Sequence, residues 1–322
     1  CVRRPIQNIV PYNKAPEEVT FGVPNYYTSV YFDGQEGFGL LVKTKEGRPI
    51  KVEGNPSHPL NKGALSARAQ AHILSLYDPD RLQGPKKHLP NKERTNFDSV
   101  NTTWENADQE IAKQLSKGSV AILSGNISSP STLALMNEFS SAFKAKRTTW
   151  EPLSNEDVRE GQKSSYGDDV VPFYRFDKAE VIVSVDADFL GTWIAPTTFT
   201  RQFSAARKEI KGMNKLISFD SHFSLTGANA DVRVRIKPSQ QIDVVMGLAH
   251  EIVVKKSQSK FAGNATVKTA LAPFADVAGK LAMEKELFVK IADDLWANKG
   301  KSLIVAGGLA AQTGYANELQ NA

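Results

Sequence analysis

The chain almost lacks cysteine. Of its 322 residues only Cys1 carries a thiol. It therefore cannot close an internal disulfide. Nor can it supply, alone, the four thiolates of an iron–sulfur cluster. Long apolar runs are missing too, and no stretch approaches the roughly 18 residues that cross a bilayer as a helix. Hydrophobic residues make up 41% and charged residues 23%, which indicates neither disorder nor a membrane span. The formal charge is +5 and the pI about 9.0. The positive residues are scattered, apart from Lys86-Lys87 to Arg94 and the alternation Arg233/Arg235/Lys237. A nucleic-acid footprint would be denser and more one-sided, so no nucleic-acid partner is expected. The common site fingerprints are absent as well. No GxGxxG follows a strand and opens a helix, since Gly34, Gly37 and Gly39 precede a strand. There is no GxxxxGK[ST], no HExxH, and no GxSxG with a plausible triad.

A cysteine at position 1 has two readings: an engineered start, or a mature bacterial lipoprotein cut just before a lipidated Cys1. The second is adopted as the expectation. It places the protein on the periplasmic side of the inner membrane, anchored without spanning it. At about 0.8 kcal/mol per buried methylene, several acyl chains on one cysteine anchor firmly.

Residues 1–25, broken by Pro5, Pro11, Pro16 and Pro24, read as an extended tether. Residues 26–90 read as a small β-rich domain. Tyr26 to Phe32 is aromatic and β-branched. Gly39 to Lys43 and Ile50 to Val52 flank the turn Lys45-Glu46-Gly47-Arg48. Gly54-Asn55-Pro56-Ser57-His58-Pro59 is an irregular loop. His58 lies between prolines, with no second ligand near in sequence, and a loop-fixing hydrogen bond is expected of it. His72 invites the same reading.

Residues 91–322 read as α/β. Trp104, Ala107, Ile111 and Leu115 form a helical stripe ahead of Gly118, followed by a strand at Val120 to Leu123. Ser128 to Ser131 caps a helix whose buried side is Leu133, Met136, Phe139 and Phe143. The unit recurs with strands at Val181–Val185, Leu216–Phe219, Val232–Ile236 and Leu303–Ala306. Helices run through Phe199–Ile210, Ile242–Val253 and Leu287–Leu295. The expected fold is thus α/β, a small β-rich N-terminal domain followed by doubly wound, dinucleotide-binding-like parallel sheets. Ligands of such sheets bind at the carboxyl ends of the strands. Ser124-Gly125-Asn126, Asp186 to Asp188, Asp220 to His222 and Gly307-Gly308 are expected to cluster there. They form either a nucleotide-like crevice or simply good strand-to-helix turns, and spacing alone does not choose. The end of the sequence, soon after a strand and glycine turn, suggests part of a longer polypeptide.

Residues 42–71, VKTKEGRPIKVEGNPSHPLNKGALSARAQA, followed by LYDPDRLQGP, resemble the N-terminal region of the molybdopterin oxidoreductase family. The segments Lys215–Asp220, Ala230-Asp231-Val232 and Arg235-Ile236-Lys237-Pro238 resemble a recurrent strand, acidic turn and "AD…I.P" stretch of that family. The resemblance implies a cysteine-bound [4Fe–4S] domain ahead of α/β domains that cradle two pterin guanine dinucleotides. This chain departs from the pattern where the cluster would sit. Tyr26-Tyr27-Thr28-Ser29-Val30-Tyr31 stands at the first cysteines. Ser66, in Leu65-Ser66-Ala67-Arg68, stands at the fourth. Hydroxyls replace soft sulfur poorly at iron, so no cluster is expected. Arg68 keeps the family's basic position but has no electron to relay. The family's molybdenum ligand would fall near Trp150 to Asn155, where only Ser154 could serve, and a turn or cap role is expected of it.

The cysteine-free pattern and Cys1 resemble one branch, the N-terminal half of the B subunit of alternative complex III, a bacterial quinol-oxidising membrane complex. That resemblance implies a scaffold with no catalytic, cofactor-binding or metal residues. Its partners would be iron–sulfur, multihaem cytochrome c and integral membrane subunits, with a terminal oxidase downstream. Clusters and haems would belong to those partners or to the continuing chain. Two rivals are a molybdenum or tungsten pterin enzyme that has lost only its cluster, and a ligand-binding lipoprotein.

Overall fold

The structure is a computed structural model. It describes residues 13–14, 16–32, 34, 36–90, 97–210, 212–308 and 316–321. Cys1, the expected lipid anchor, lies outside the described residues, as does most of the expected tether.

The strands are β1 (Asn25–Phe32), β2 (Gly37–Lys45), β3 (Arg48–Gly54), β4 (Lys86–Pro90), β5 (Phe97–Asn101), β6 (Ala121–Ser124), β7 (Lys146–Thr149), β8 (Val181–Val185), β9 (Lys215–Asp220), β10 (Val232–Arg235) and β11 (Ser302–Ala306). The helices are α1 (Ala67–Ala71), α2 (Trp104–Leu115), α3 (Pro130–Phe143), α4 (Glu156–Tyr166), α5 (Pro196–Ala205), α6 (Leu225–Ala228), α7 (Gln241–His250), α8 (Ala265–Leu271), α9 (Val277–Lys280), α10 (Lys285–Ala297) and α11 (Ala316–Asn321). They fall into two compact units, Cys1–Gln70 with Leu153–Ala322, and Ala71–Pro152.

In the larger unit, β1, β2 and β3 form an antiparallel sheet in sequence order. The β2–β3 turn uses left-handed Glu46 (φ 50°) and Gly47 (φ 78°). Two such residues in succession make the tight hairpin turn whose twist matches the strands. The following loop is fixed by Asn61, which is fully buried. Its Oδ1 accepts from the Gly39 amide (3.1 Å), and its Nδ2 donates to the carbonyls of Gly39 (3.1 Å) and Ala64 (2.7 Å). His58 helps fix the loop through its backbone, its amide donating to the Asn55 carbonyl (3.1 Å) and its carbonyl accepting from the Lys62 amide (3.1 Å). Its Nδ1 is buried without a partner. The ring packs over Gly39, where a Cβ would lie 2.5 Å from it. The ring contributes close packing against a glycine, beside the hydrogen bonds of the His58 backbone.

The second sheet of this unit is fully parallel, in the order β10-β9-β8-β11. All of β8 is buried. Val181, Val183 and Val185 face one side with Ile217 and Phe219, and are covered by Val244, Val245 and Leu248 of α7 and by Phe288, Ile291 and Leu295 of α10. Ile182, Leu216 and Val305 belong to the other side, covered by Val158 of α4, Phe199 and Phe203 of α5, and Phe176, Phe189 and Trp193. Period-2 alternation with apolar residues on both faces is what a helix-covered parallel sheet demands. Phe176 and Phe189 stack with centroids 4.1 Å apart, and Phe199 lies 4.8 Å from Phe176. The expected α/β class and doubly covered sheet are therefore present.

The small sheet is joined to the large one by a carboxylate. Glu36 is buried, and its oxygens accept from the amides of Thr197 (3.1 Å) and Thr198 (3.0 Å) in the first turn of α5. Those amides have no intrahelical partner, and the helix dipole favours an anion there.

In the smaller unit, β4 pairs antiparallel with β5, and β6 pairs parallel with β7. Ser129 caps α3 by accepting from the Thr132 amide, Pro130 opens the helix, and Lys144 (φ 51°) ends it. Leu133, Met136, Phe139 and Phe143 are its more sheltered side, as the periodicity requires.

Glu36→Ala should leave two α5 amides unsatisfied at a buried junction. We expect a loss of about 1–3 kcal/mol in urea denaturation, with Glu36→Gln losing less because its carbonyl still accepts.

Candidate functional site

In the parallel sheet, β8, β9 and β10 progress in one direction and β11 returns to the far side of β8. This reversal is the place where open α/β sheets bind ligands. The segments at the carboxyl ends of β8, β9 and β11 meet here.

Asp186 follows β8 in a left-handed conformation (φ 56°). Its Oδ1 accepts from the amide (2.7 Å) and hydroxyl (3.0 Å) of Ser221, and its Oδ2 from Gln241 Nε2 of α7 (2.7 Å). Asp188 Oδ1 accepts from the Thr226 amide (2.9 Å) and hydroxyl (2.8 Å). Asp220 Oδ2 accepts from Ser224 (3.2 Å). Its Oδ1 lies 2.8 Å from Arg233 Nη2, an ion pair in distance that lacks the alignment of a hydrogen bond. All three aspartates are buried.

Glycines make room for these carboxylates. A Cβ on Gly191 would lie 2.1 Å from Asp188 Oδ2, and one on Gly227 would lie 2.0 Å from Asp220 Oδ2. Gly308 (φ 86°) sits against the Asp186 carbonyl, 2.2 Å from where its Cβ would be. The Gly307 amide donates to the Val185 carbonyl (3.1 Å). Trp193 Nε1 lies 3.0 Å from a Cβ built on Gly307, and Gln320 Nε2 donates to the Ala306 carbonyl (2.7 Å). The described part of the reversal is filled by the chain's own backbone and side chains.

Three of the four segments expected at this place are brought together, namely Asp186–Asp188, Asp220–His222 and Gly307-Gly308. Ser124-Gly125-Asn126 ends β6, which among the described residues pairs with β7 in a separate sheet of the smaller unit. There Glu151 Oε1 accepts from the Asn126 amide and stands 2.8 Å from a Cβ on Gly125. The sequence spacing of a strand and its helix is the same whichever sheet the strand joins, so spacing could not separate the two.

Ser66 acts as a helix cap. Its Oγ accepts from the Ala69 amide (3.1 Å) and its carbonyl from Gln70 (3.0 Å), opening α1. Arg68 is exposed on that helix. Tyr26 to Tyr31 pairs without interruption against Phe38 to Lys43. Ser154 Oγ accepts from the Glu156 amide (3.0 Å) just before α4, the turn role expected of it. Among the described residues no group of three His, Cys, Asp or Glu side chains is placed to hold a metal ion. Sequence reasoning missed Glu36 and Asn61. Each is an isolated polar residue whose partners are distant in sequence, and no local pattern marks it.

No protein-family model matches the chain. Over 306 residues it is 24% identical to the menaquinone reductase molybdopterin-binding-like subunit of Nitratidesulfovibrio vulgaris, covering 92% of this chain and 43% of that protein. It is 28% identical over 227 residues to nitrate reductase of Shewanella frigidimarina, covering 66% of this chain and 23% of that protein. The structure of acetylene hydratase from Pelobacter acetylenicus shares the fold, with a TM-score of 0.63 at 15% identity over 92% of this chain and 40% of that one. The first of these relatives is named a molybdopterin-binding-like subunit and the second a nitrate reductase, and the solved structure shows the fold alone. The chain spans less than half the length of these relatives.

The resemblance brings two cofactors to be tested against these residues. A cysteine-bound cluster does not fit, because the described ligand positions carry Ser66 and Tyr26 to Tyr31, already engaged in a cap and a strand ladder. For the phosphates of a dinucleotide, the amides that could receive an anion here are already taken, those at the start of α5 by Glu36 and those of Ser221 and Thr226 by Asp186 and Asp188.

One buried carboxyl is unsettled. Asp157, in the first turn of α4, is pushed above the usual carboxylate range by burial, against the Val158 and Asp157 amides, which favour its charged form. Burial, with Asp157 nearby, pushes the Tyr174 hydroxyl up to about 12. A raised carboxyl pKa means that the folded state binds the proton more tightly than the unfolded. Stability should then fall as pH rises from the ordinary carboxylate value through the folded one. Asp157→Asn should therefore be more stable than wild type at pH 7, and the gap should close toward pH 4. Thermal unfolding across that range checks it.

Proposed function

We propose that this chain is a non-catalytic scaffold in a membrane-associated quinol-oxidising complex of the alternative complex III type, equivalent to the N-terminal half of its B subunit. The observation that carries the reading is Ser66. At the position where the family places a cluster ligand, a hydroxyl caps a helix instead. The carboxylates filling the sheet reversal support the same reading, because they occupy the donors that an anionic cofactor would use. A relative aligned over most of the chain is itself named a molybdopterin-binding-like subunit of a menaquinone reductase, which agrees with a subunit role beside quinone chemistry.

On this reading the chain holds no cofactor. It positions iron–sulfur, multihaem cytochrome c and integral membrane subunits on the periplasmic face, with a terminal oxidase downstream. Cys1 carries the lipid that keeps it there. No helix among the described residues is long and apolar enough to cross a membrane, so attachment falls to the anchor and the membrane subunits.

Metal and pterin analysis of the purified chain and of its complex tests the proposal. We expect no stoichiometric molybdenum or tungsten and no extractable fluorescent pterin from this chain. Either would establish the pterin enzyme instead. Ser66→Cys alone should produce no iron–sulfur absorption band. Mass spectrometry of the N-terminal peptide should show acyl groups on Cys1, removed by Cys1→Ala. An unmodified cysteine would refute the anchor.

A further inference from the structure

A pocket of about 290 Å³ opens in the larger unit, lined by none of the residues that fill the sheet reversal. One wall is the loop after β3, with Leu60 and Lys62. A second is the last turns of α5, with Arg201 and Gln202. The third is the segment 173–177, with Phe173, Arg175 and Asp177. The three walls are braced. Asn61 ties the loop to Gly39 and Ala64. Glu36 holds the start of α5. Gln202 Oε1 accepts from the Phe176 amide (2.9 Å), which ties the segment to the helix, and the Phe176 ring is stacked in the core. Arg201 Nε donates to the Lys62 carbonyl (3.4 Å), joining helix to loop. A hollow with walls held in this way is formed before any ligand arrives, as binding pockets usually are.

Its polar side chains select for charge. Asp177 is the one carboxylate among the described lining residues, and Arg175 engages both of its oxygens, at 2.9 Å and 2.8 Å. Among the described residues no carboxylate lies within ion-pair distance of Lys62 or Arg201. Gln202 spends its oxygen on Phe176 and keeps its amide donors. Three cations against one neutralised carboxylate favour an anionic ligand with several acceptor oxygens. The remaining surface is apolar and open. Leu60 is 49% exposed and Phe173 54%. A half-exposed ring beside a cationic hollow offers its face to a second ring.

We propose that this pocket binds a small aromatic carboxylate, its carboxylate held by Lys62 and Arg201 and its ring laid against Leu60 and Phe173. The volume favours a free small molecule over a protein segment, since it stands at the lower end of the range of ligand pockets. The inference does not depend on the scaffold reading, because Ser66 takes no part in the site.

Calorimetric titration of the purified protein with benzoate, benzamide and inorganic phosphate tests it. Benzoate should bind saturably at one site. Benzamide keeps the ring without the charge, and phosphate the charge without the ring, so each should bind about tenfold more weakly or less. Lys62→Gln and Arg201→Gln should each weaken benzoate about tenfold, the loss of one charge-assisted hydrogen bond. Arg201→Gln also removes a bond to the loop, so Lys62→Gln is the cleaner variant. Phe173→Ala should weaken benzoate and leave phosphate unchanged. In the protein as purified, Lys62 should react with an amine-acylating reagent and be protected by benzoate. Absence of saturable benzoate binding, or binding indifferent to Lys62→Gln, overturns the proposal. Phosphate bound as tightly as benzoate overturns the aromatic assignment. Lys62 already unreactive before benzoate is added marks the pocket as covered by protein and overturns the assignment to a small molecule.

Discussion

The larger unit depends on one carboxylate. Asp186 leaves β8 in a left-handed turn and accepts three hydrogen bonds, two from the end of β9 and one from α7. Its carbonyl is the surface on which Gly308, after β11, is packed. One residue thus fixes the spacing of three adjacent strand ends. Buried and multiply bonded, such a group is far more costly to leave half-satisfied than to keep whole.

The same residue type is repeated around it. Asp188 holds α6, Asp220 faces Arg233, and Glu36 receives the start of α5. A sheet of this kind usually turns amide donors toward its carboxyl edge, where they attract anions. Here the chain supplies the anions itself. At the described edge the amides of Ser221, Thr226 and Thr198 donate to Asp186, Asp188 and Glu36. Fold likeness alone therefore says little about what such a sheet carries.

Much of this was legible in the residues. β8 matches its apolar run end to end, because a strand buried on both faces has no polar position to blur its limits. The face of α3 follows from its three-and-four spacing. α4 was missed because its sequence, EDVREGQKSSY, has only Val158 as a large buried apolar residue. β7 was missed because Lys-Arg-Thr-Thr has the composition of a surface turn. Asn61 and Glu36 could not be read at all, since a hydrogen bond across a long loop leaves no local periodicity. For His58 the loop hydrogen bonds expected of it fall to its backbone, while the packing of its ring over Gly39 leaves no mark in the sequence.

The contact between Glu36 and α5 also sets a schedule. The partners are 161 residues apart in sequence. The hairpin β2–β3 can close as soon as it emerges from the ribosome, but its docking residue waits until α5 has been made. At roughly 5–20 residues per second, the delay is on the order of ten seconds or more. During that time a carboxylate destined for a buried helix end stays hydrated. The small sheet stays loose beside whatever is translated next, including all of Ala71–Pro152. The N-terminal sheet is thus among the first parts to be made, and its contact with the larger sheet waits for α5.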